Sequence, residues 1–254
     1  MKITILGCGS SGGVPLIGNQ WGNCDPANPR NRRTRVSIMV EQDDAAILVD
    51  TPPDMHQQFI TCNIQRVTAV LYTHAHADHC HGIDELRSLN WLMKKSIDVY
   101  ANAQTMDELE IRFPYIFHGR PASNNYYKPA ITPHIIDGTF VVDGVKVEPF
   151  EQDHGYGTTL GFRFGDFAYS TDAKNLDENA FNVLKGVKVW IVDCAREAPH
   201  PTHAHFEQTL AWIDRVKPEQ AYLTHLNHTM DYAKIAAKCP PGVWPAYDGQ
   251  VITC

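Results

Sequence analysis

Three imidazoles and a carboxylate crowd into the run Thr73-His74-Ala75-His76-Ala77-Asp78-His79. Imidazole and carboxylate suit zinc, manganese and iron, and the run lacks the thiolates typical of closed structural zinc sites. His-rich tracts read as metal binding by composition, and the internal spacing sets this one apart from a solvated turn. Such a loop needs distant partners, and ligands converge where strands stop. Three candidates follow predicted strands: His154 after 145–150, Asp172 after 167–169 and His225 after 221–223. Taken singly, each is as well explained as a cap or a turn residue. Together with the loop they form a set.

The elements that must hold these groups still are read from periodicity. The loop leaves the run 67–72, which is β-branched and aromatic enough for a buried strand. A first strand covers 2–6, and strands at 36–40 and 45–49 flank Gln42-Asp43-Asp44 as a hairpin. Thr51-Pro52 marks a helix start for 52–60. Ile83, Leu86, Leu89, Leu92 and Met93 recur at helical spacing over 83–95, before a strand at 96–101 and a helix at 103–112. Short strands follow at 139–142, 145–150, 159–165 and 167–170, separated by Gly-containing turns. Helices near 176–184, 204–216 and 231–238 alternate with strands at 187–192 and 221–223, and a terminal hairpin closes the chain. Strand-rich halves that each end in helices predict an α/β protein with two facing sheets, helices outside, and one domain over 1–254.

The composition bounds the function. With 254 residues, 43% apolar and 20% charged, the chain has the make-up of a globular protein with a substantial core. Its net charge of -7 offers no cationic face to a nucleic-acid backbone, so nucleic acid is not an expected partner. Two bound divalent ions would add about +4 locally and draw an anionic substrate to the site itself. Seven scattered cysteines without a C-x-x-C pair predict reduced thiols and a cytoplasmic location. The apolar run at the start is too short for a signal peptide, and no stretch is long enough to span a bilayer. A homodimer stays open.

Other stretches carry competing readings. Gly7-Cys8-Gly9-Ser10-Ser11-Gly12 is a literal G-x-G-x-x-G after a strand, but a dinucleotide loop must open a helix. Here Pro15, Gly18, Asn19, Gly22 and Asn23 keep the chain irregular, which favours a glycine loop packed against the site. The long loop 16–34 ends in Arg30, Arg32, Arg33 and Arg35, where a solvated basic turn is the favoured reading. Residues 113–134, including Arg120, Pro121, Tyr126 and Tyr127, read as an insertion or lid whose aromatics favour core packing over stacking on a substrate. Surface or packing roles are favoured for His56, His118, His134 and His200. Asp50 is placed to orient a ligand His through its other ring nitrogen, and His81 to stand behind the ligands.

The ordered set of motifs resembles the metallo-β-lactamase superfamily: H-x-H-x-D-H at His74, His76, Asp78 and His79, then a single His154, Asp172 and His225. The resemblance implies an αββα sandwich with the site at one edge of the two mixed sheets. It implies one divalent ion held by His74, His76 and His154, a second by Asp78, His79 and His225, and Asp172 between them, the ions being manganese, zinc or iron. Two cations about 3.5–4 Å apart can share a hydroxide and clamp both oxygens of a displacement. Leu6-Gly7-Cys8-Gly9-Ser10 with Val14-Pro15, and Thr202-His203-Ala204-His205, are similar to the phosphodiesterase branch, on the side of the phosphoribosyl cyclic phosphodiesterases. Asp78 and His203 are then the implied catalytic residues, with His205 the rival of His203. That group carries a Cys-rich structural zinc in the loop after Val-Pro, whereas here only Cys24 and His228 stand at matching positions, too few for a four-coordinate site.

The expectation is a dinuclear metal-dependent phosphodiesterase acting on a small cyclic phosphate or nucleotide-like ester. The alternatives are a transfer-RNA 3′-end-type ribonuclease, a thioester or lactam hydrolase, and, least favoured, a non-catalytic metal-binding protein.

Overall fold

Every position of the strand Ala45–Val49 is buried, as a strand covered on both faces must be. Its side chains alternate between two cores: Ala45, Ile47 and Val49 join one, Ala46 and Leu48 another. The computed structural model describes residues 1–118 and 130–254. Arg120, Pro121, Tyr126 and Tyr127 lie outside the described residues.

The first sheet contains β1 (Lys2–Gly7), β2 (Ser37–Gln42), β3 (Ala45–Val49), β4 (Ala69–Leu71), β5 (Ile97–Ala101) and β6 (Ile131–Ile135). The second contains β7 (Phe140–Val142), β8 (Val145–Asp153), β9 (Thr158–Phe164), β10 (Phe167–Tyr169), β11 (Val189–Asp193), β12 (Gln220–Thr224) and β13 (Val243–Pro245). The last strand, β14 (Gln250–Thr253), returns to the first sheet beside β1, giving the orders β14-β1-β2-β3-β4-β5-β6 and β13-β12-β11-β10-β9-β8-β7. One core packs the two sheets together through Ile3, Ile38, Ile47, Phe162, Tyr169 and Ile191. The outer faces carry helices: α1 (Met55–Thr61), α2 (Ala77–Cys80), α3 (Leu86–Met93), α4 (Ala103–Arg112) and α5 (Pro114–His118) on the first half. The second half carries α6 (Glu178–Leu184), α7 (Phe206–Val216) and α8 (Tyr232–Lys238). This is the expected αββα sandwich.

Two local expectations are corrected. The C-terminal strands do not form a hairpin: β13 runs parallel to β12, while β14 pairs antiparallel with β1 in the other sheet. The crossover is fixed by backbone bonds, with the Ala246 amide donating to the Leu223 carbonyl and the Gly249 amide to the Ile5 carbonyl. Thr51 does not start a helix either. It is fully buried, its hydroxyl 2.7 Å from the Tyr72 hydroxyl, and α1 begins four residues later. The glycine-rich opening leads into no helix, in line with the rejected dinucleotide reading.

Candidate metal centre

The adjoining ends of five strands deliver the site. β3 runs into Asp50, β4 into Thr73 and His74, β10 into Asp172, β11 ends in Asp193 and β12 runs into His225. His154 arrives from the turn between β8 and β9. Three of these residues adopt left-handed backbone despite carrying side chains: Asp50 (φ 63°), Asp172 (φ 53°) and His225 (φ 59°). Such conformations are costly for non-glycine residues and gather at functional sites.

Asp172 is 2% exposed and its two oxygens face two different groups. Oδ2 lies 3.7 Å from His74 Nε2 and 3.5 Å from His154 Nε2, while Oδ1 lies 3.2 Å from both His79 Nε2 and His225 Nε2. Asp78 Oδ2 is 3.5 Å from His79 Nε2 and 3.8 Å from His225 Nε2. His76 Nδ1 meets His74 Nε2 at 2.8 Å. The residues thus sort into His74, His76, His154 and Asp172 on one side and Asp78, His79 and His225 on the other. His203 falls in a third group with Asp172 and His225.

Three of the rings are held from behind at Nδ1. His79 Nδ1 lies 2.7 Å from Asp50 Oδ2, His74 Nδ1 3.0 Å from Thr73 Oγ1, and His154 Nδ1 2.8 Å from the Thr202 carbonyl. Thr73 in turn donates its amide and hydroxyl to Asp50. Fixing Nδ1 in this way leaves Nε2 of each ring to face the centre.

Do these residues fit a metal? Among the described residues, His79 Nε2 and His225 Nε2 are buried and make no hydrogen bond of ordinary geometry, an arrangement that is costly unless something else meets them. Burial pushes the His74 imidazole well below its usual range and lowers His154 as well, so both keep a free lone pair. For His79, burial works against protonation but is outweighed by Asp172, Asp78 and Asp50, which raise it. Burial opposes ionisation of Asp172 and Asp78, yet the surrounding imidazoles hold both carboxyls well below the carboxylate range. Three carboxylates around these rings make a pocket that favours positive charge. The donor set fits divalent ions.

Asp50 sits where an orienting group was expected. His81 instead packs edge-on against Phe113 and is not among the residues lining the cavity. His205 caps α7 and faces Gln208 at 3.2 Å, outside the cavity lining, so the rival of His203 is turned away. His200, for which a surface or packing role was favoured, lines the cavity, its ring 5.2 Å from His203. His56, His118 and His134 pair with Glu85, Glu110 and Asp98 outside that cavity. Cys24 and His228 belong to none of the clusters found among the described residues.

Two residues were missed. Asp193, fully buried, lies 3.3 Å from His203 Nδ1 and 3.9 Å from His225 Nδ1. Burial pushes the His203 imidazole down, but the Asp193 bond and charge outweigh it and raise it to about 9. Arg112 on α4 donates from Nη1 to the Ala75 carbonyl inside the histidine run and from Nη2 to Glu108 at 2.7 Å. A carboxylate ending an apolar strand was the available signal for Asp193; nothing local marked Arg112. The cavity over the centre has a volume of about 540 Å³, with α4 and the β8–β9 turn forming its walls.

Comparison with known proteins agrees with this geometry. Residues 45–226 match the model of the β-lactamase superfamily domain. A crystal structure of a diphosphatase from the PhnP family superposes with a TM-score of 0.89 at 30% identity, covering 100% of this chain and 97% of that one. The zinc-bound PqqB of Methylobacterium extorquens shares the fold at 19% identity, with a TM-score of 0.78 over 100% of both chains. The chain is also 31% identical over 254 residues to an octanoyltransferase of Porphyromonas gingivalis, matching 98% of its own length but only 51% of that protein.

Proposed function

The chain belongs to the metallo-β-lactamase superfamily, on its PhnP-like branch, and is a metal-dependent hydrolase, and we propose that it cleaves small phosphodiesters, cyclic or nucleotide-like, at a two-metal centre. The observation that carries this reading is Asp172, whose two oxygens each face a separate set of imidazoles. One ion would be held by His74, His76 and His154, the other by Asp78, His79 and His225, with Asp172 shared between them. Manganese and zinc suit this donor set, as does iron. Bound there, two ions supply the Lewis acidity that activates water and offsets phosphoryl charge.

The chain's own groups do the rest. His203 carries the proton for the departing oxygen at Nε2, while Asp193 holds its Nδ1 and so fixes the tautomer. The ring also stacks on His225 at 4.5 Å, within reach of a substrate lying over the cluster. An alkoxide leaves poorly unless protonated, so this transfer matters most for natural esters. Asp50, Thr73 and the Thr202 carbonyl hold the ligand rings in register. Asp78 has a second task as a catalytic carboxylate, ionised beside the reacting atoms. The whole of 1–254 acts as one domain in this reading.

A second reading is hydrolysis of an acyl thioester, supported by the similarity to a protein named as an octanoyltransferase, of whose length this chain spans about half. Manganese-loaded protein offered bis-p-nitrophenyl phosphate and an octanoyl thioester separates the two. Turnover of the diester with the thioester untouched is expected; the reverse would overturn the phosphodiesterase reading.

A further inference from the structure

Tyr156 stands out on the turn between β8 and β9. It is 91% exposed, although a tyrosine ring stabilises a fold chiefly by being buried. No hydrogen bond to its hydroxyl and no ring against its face is found among the described residues. Yet its backbone is held firmly. The His154 amide donates to the Gly157 carbonyl at 2.9 Å, closing the turn around it. The Gly155 amide donates to Asp153 Oδ1 at 2.7 Å, and the other oxygen of Asp153 takes Asn175 Nδ2 at 2.8 Å. Gly155 itself has φ +85°, and a Cβ there would stand 2.5 Å from the Pro201 carbonyl oxygen. Only glycine permits that approach of the turn to the segment bearing His203. The result is an exposed ring on a pinned base, two residues beyond His154.

That ring lines the same cavity as the histidine–aspartate cluster, and among the described lining residues it is the sole aromatic that is not an imidazole. Asn102, Gln104 and Glu108 of the α4 region also line that cavity, with Asn102 Oδ1 accepting from the Thr105 amide and Gln104 Nε2 donating to Glu108. A cavity of about 540 Å³ accommodates a ligand of nucleotide size. An exposed aromatic face in a cavity of that size can grip a planar heterocycle, since every nucleobase offers a π-face whatever its identity.

We propose that Tyr156 is a specificity-determining residue, its ring the platform on which a nucleobase stacks while the phosphoryl group lies at the His74–Asp172–His225 cluster. Since this rests on the phosphodiesterase reading for the position of the phosphoryl group, the test reads binding rather than turnover. Manganese-loaded protein is titrated calorimetrically with AMP and with ribose 5-phosphate, which share the sugar phosphate and differ by the base. Wild type is expected to bind AMP about tenfold more tightly or better, the worth of one stacked base. Tyr156→Ala should collapse that ratio towards one, and Tyr156→Phe, which keeps the ring, should restore it. Equal affinities in wild type, or an undiminished ratio in Tyr156→Ala, would overturn the assignment. Failure to hydrolyse any diester with the ratio intact would count against the phosphodiesterase reading and leave the stacking role standing.

Discussion

Residues 225–228 separate two buried polar clusters that are closed in opposite ways. On one side His225 joins His79, Asp78 and Asp172, where two Nε2 atoms face inward without a well-formed hydrogen bond among the described residues and carboxylates supply negative charge. On the other, the Asn227 carbonyl and His228 border the loop 16–34, and a cation is already built in. Arg33 is 2% exposed, with Nη1 facing the Asn227 carbonyl at 3.4 Å and Cys24 Sγ at 3.9 Å, and Nη2 facing Asn31 Oδ1 at 3.4 Å. Asn31 ties this knot to α8, donating to Asp231 at 2.7 Å and accepting from the Tyr232 amide at 2.7 Å. A guanidinium of the chain itself fills the second cluster; the first is shaped for ions from solution. The difference lies in where unpartnered nitrogens point, not in how many polar groups are buried.

That contrast breaks first under chelation. Stripping the metal should abolish turnover and lower stability by about 4 kcal/mol per ion bound at a thousandfold above its Kd. Thermal melts with and without chelator check this, and hydrogen exchange at the Asn31 and Tyr232 amides should stay slow in both, because the Arg33 knot needs no ion.

Next in size is His203→Ala, which should lower turnover of an ester with an alkoxide leaving group about 10²–10⁴-fold while retaining metal. An ester expelling p-nitrophenolate, which leaves without a proton, should suffer far less. Equal losses on both, or loss of metal, would remove His203 from the proton-transfer role.

The other region answers to stability instead. Arg33→Met should cost about 1–3 kcal/mol, read as a lower melting temperature, since Asn31 and the Asn227 carbonyl lose a charged donor. Metal content should be unaltered and kcat/KM should stay within about twofold. The smallest effect belongs to Cys24→Ser, expected within about 1 kcal/mol by melting temperature and silent in metal content. Burial raises this thiol above its usual range, against the pull of Arg33, which disfavours the thiolate a zinc ion would need. Zinc released by the substitution would show that the thiol ligates after all.

Sequence legibility divides along similar lines. The run His74–His79 is local, so spacing alone exposed it, and His154, Asp172 and His225 were found because each follows an apolar strand. The sandwich was legible because strand-rich halves ending in helices leave few ways to bury both faces. Asp193 also ends a strand, but its meaning depends on which rings lie across from it, and that is tertiary. The same holds for His200. The basic run was read as a solvated turn, which fails for Arg33, since composition cannot say which of four arginines turns inward; Arg30 and Arg32 do lie over surface aromatics. The C-terminal strands looked like a hairpin because they are short and adjacent, yet their partners are β12 and β1, more than twenty and two hundred residues away.

The proposed two-metal centre stands or falls on Asp172 being shared between two ions. Elemental analysis of manganese- or zinc-loaded protein tests it directly, comparing wild type with Asp172→Ala. Two ions per chain are expected in wild type, with a clear loss in the variant. A single ion per chain, with Asp172→Ala leaving the content unchanged, would contradict it.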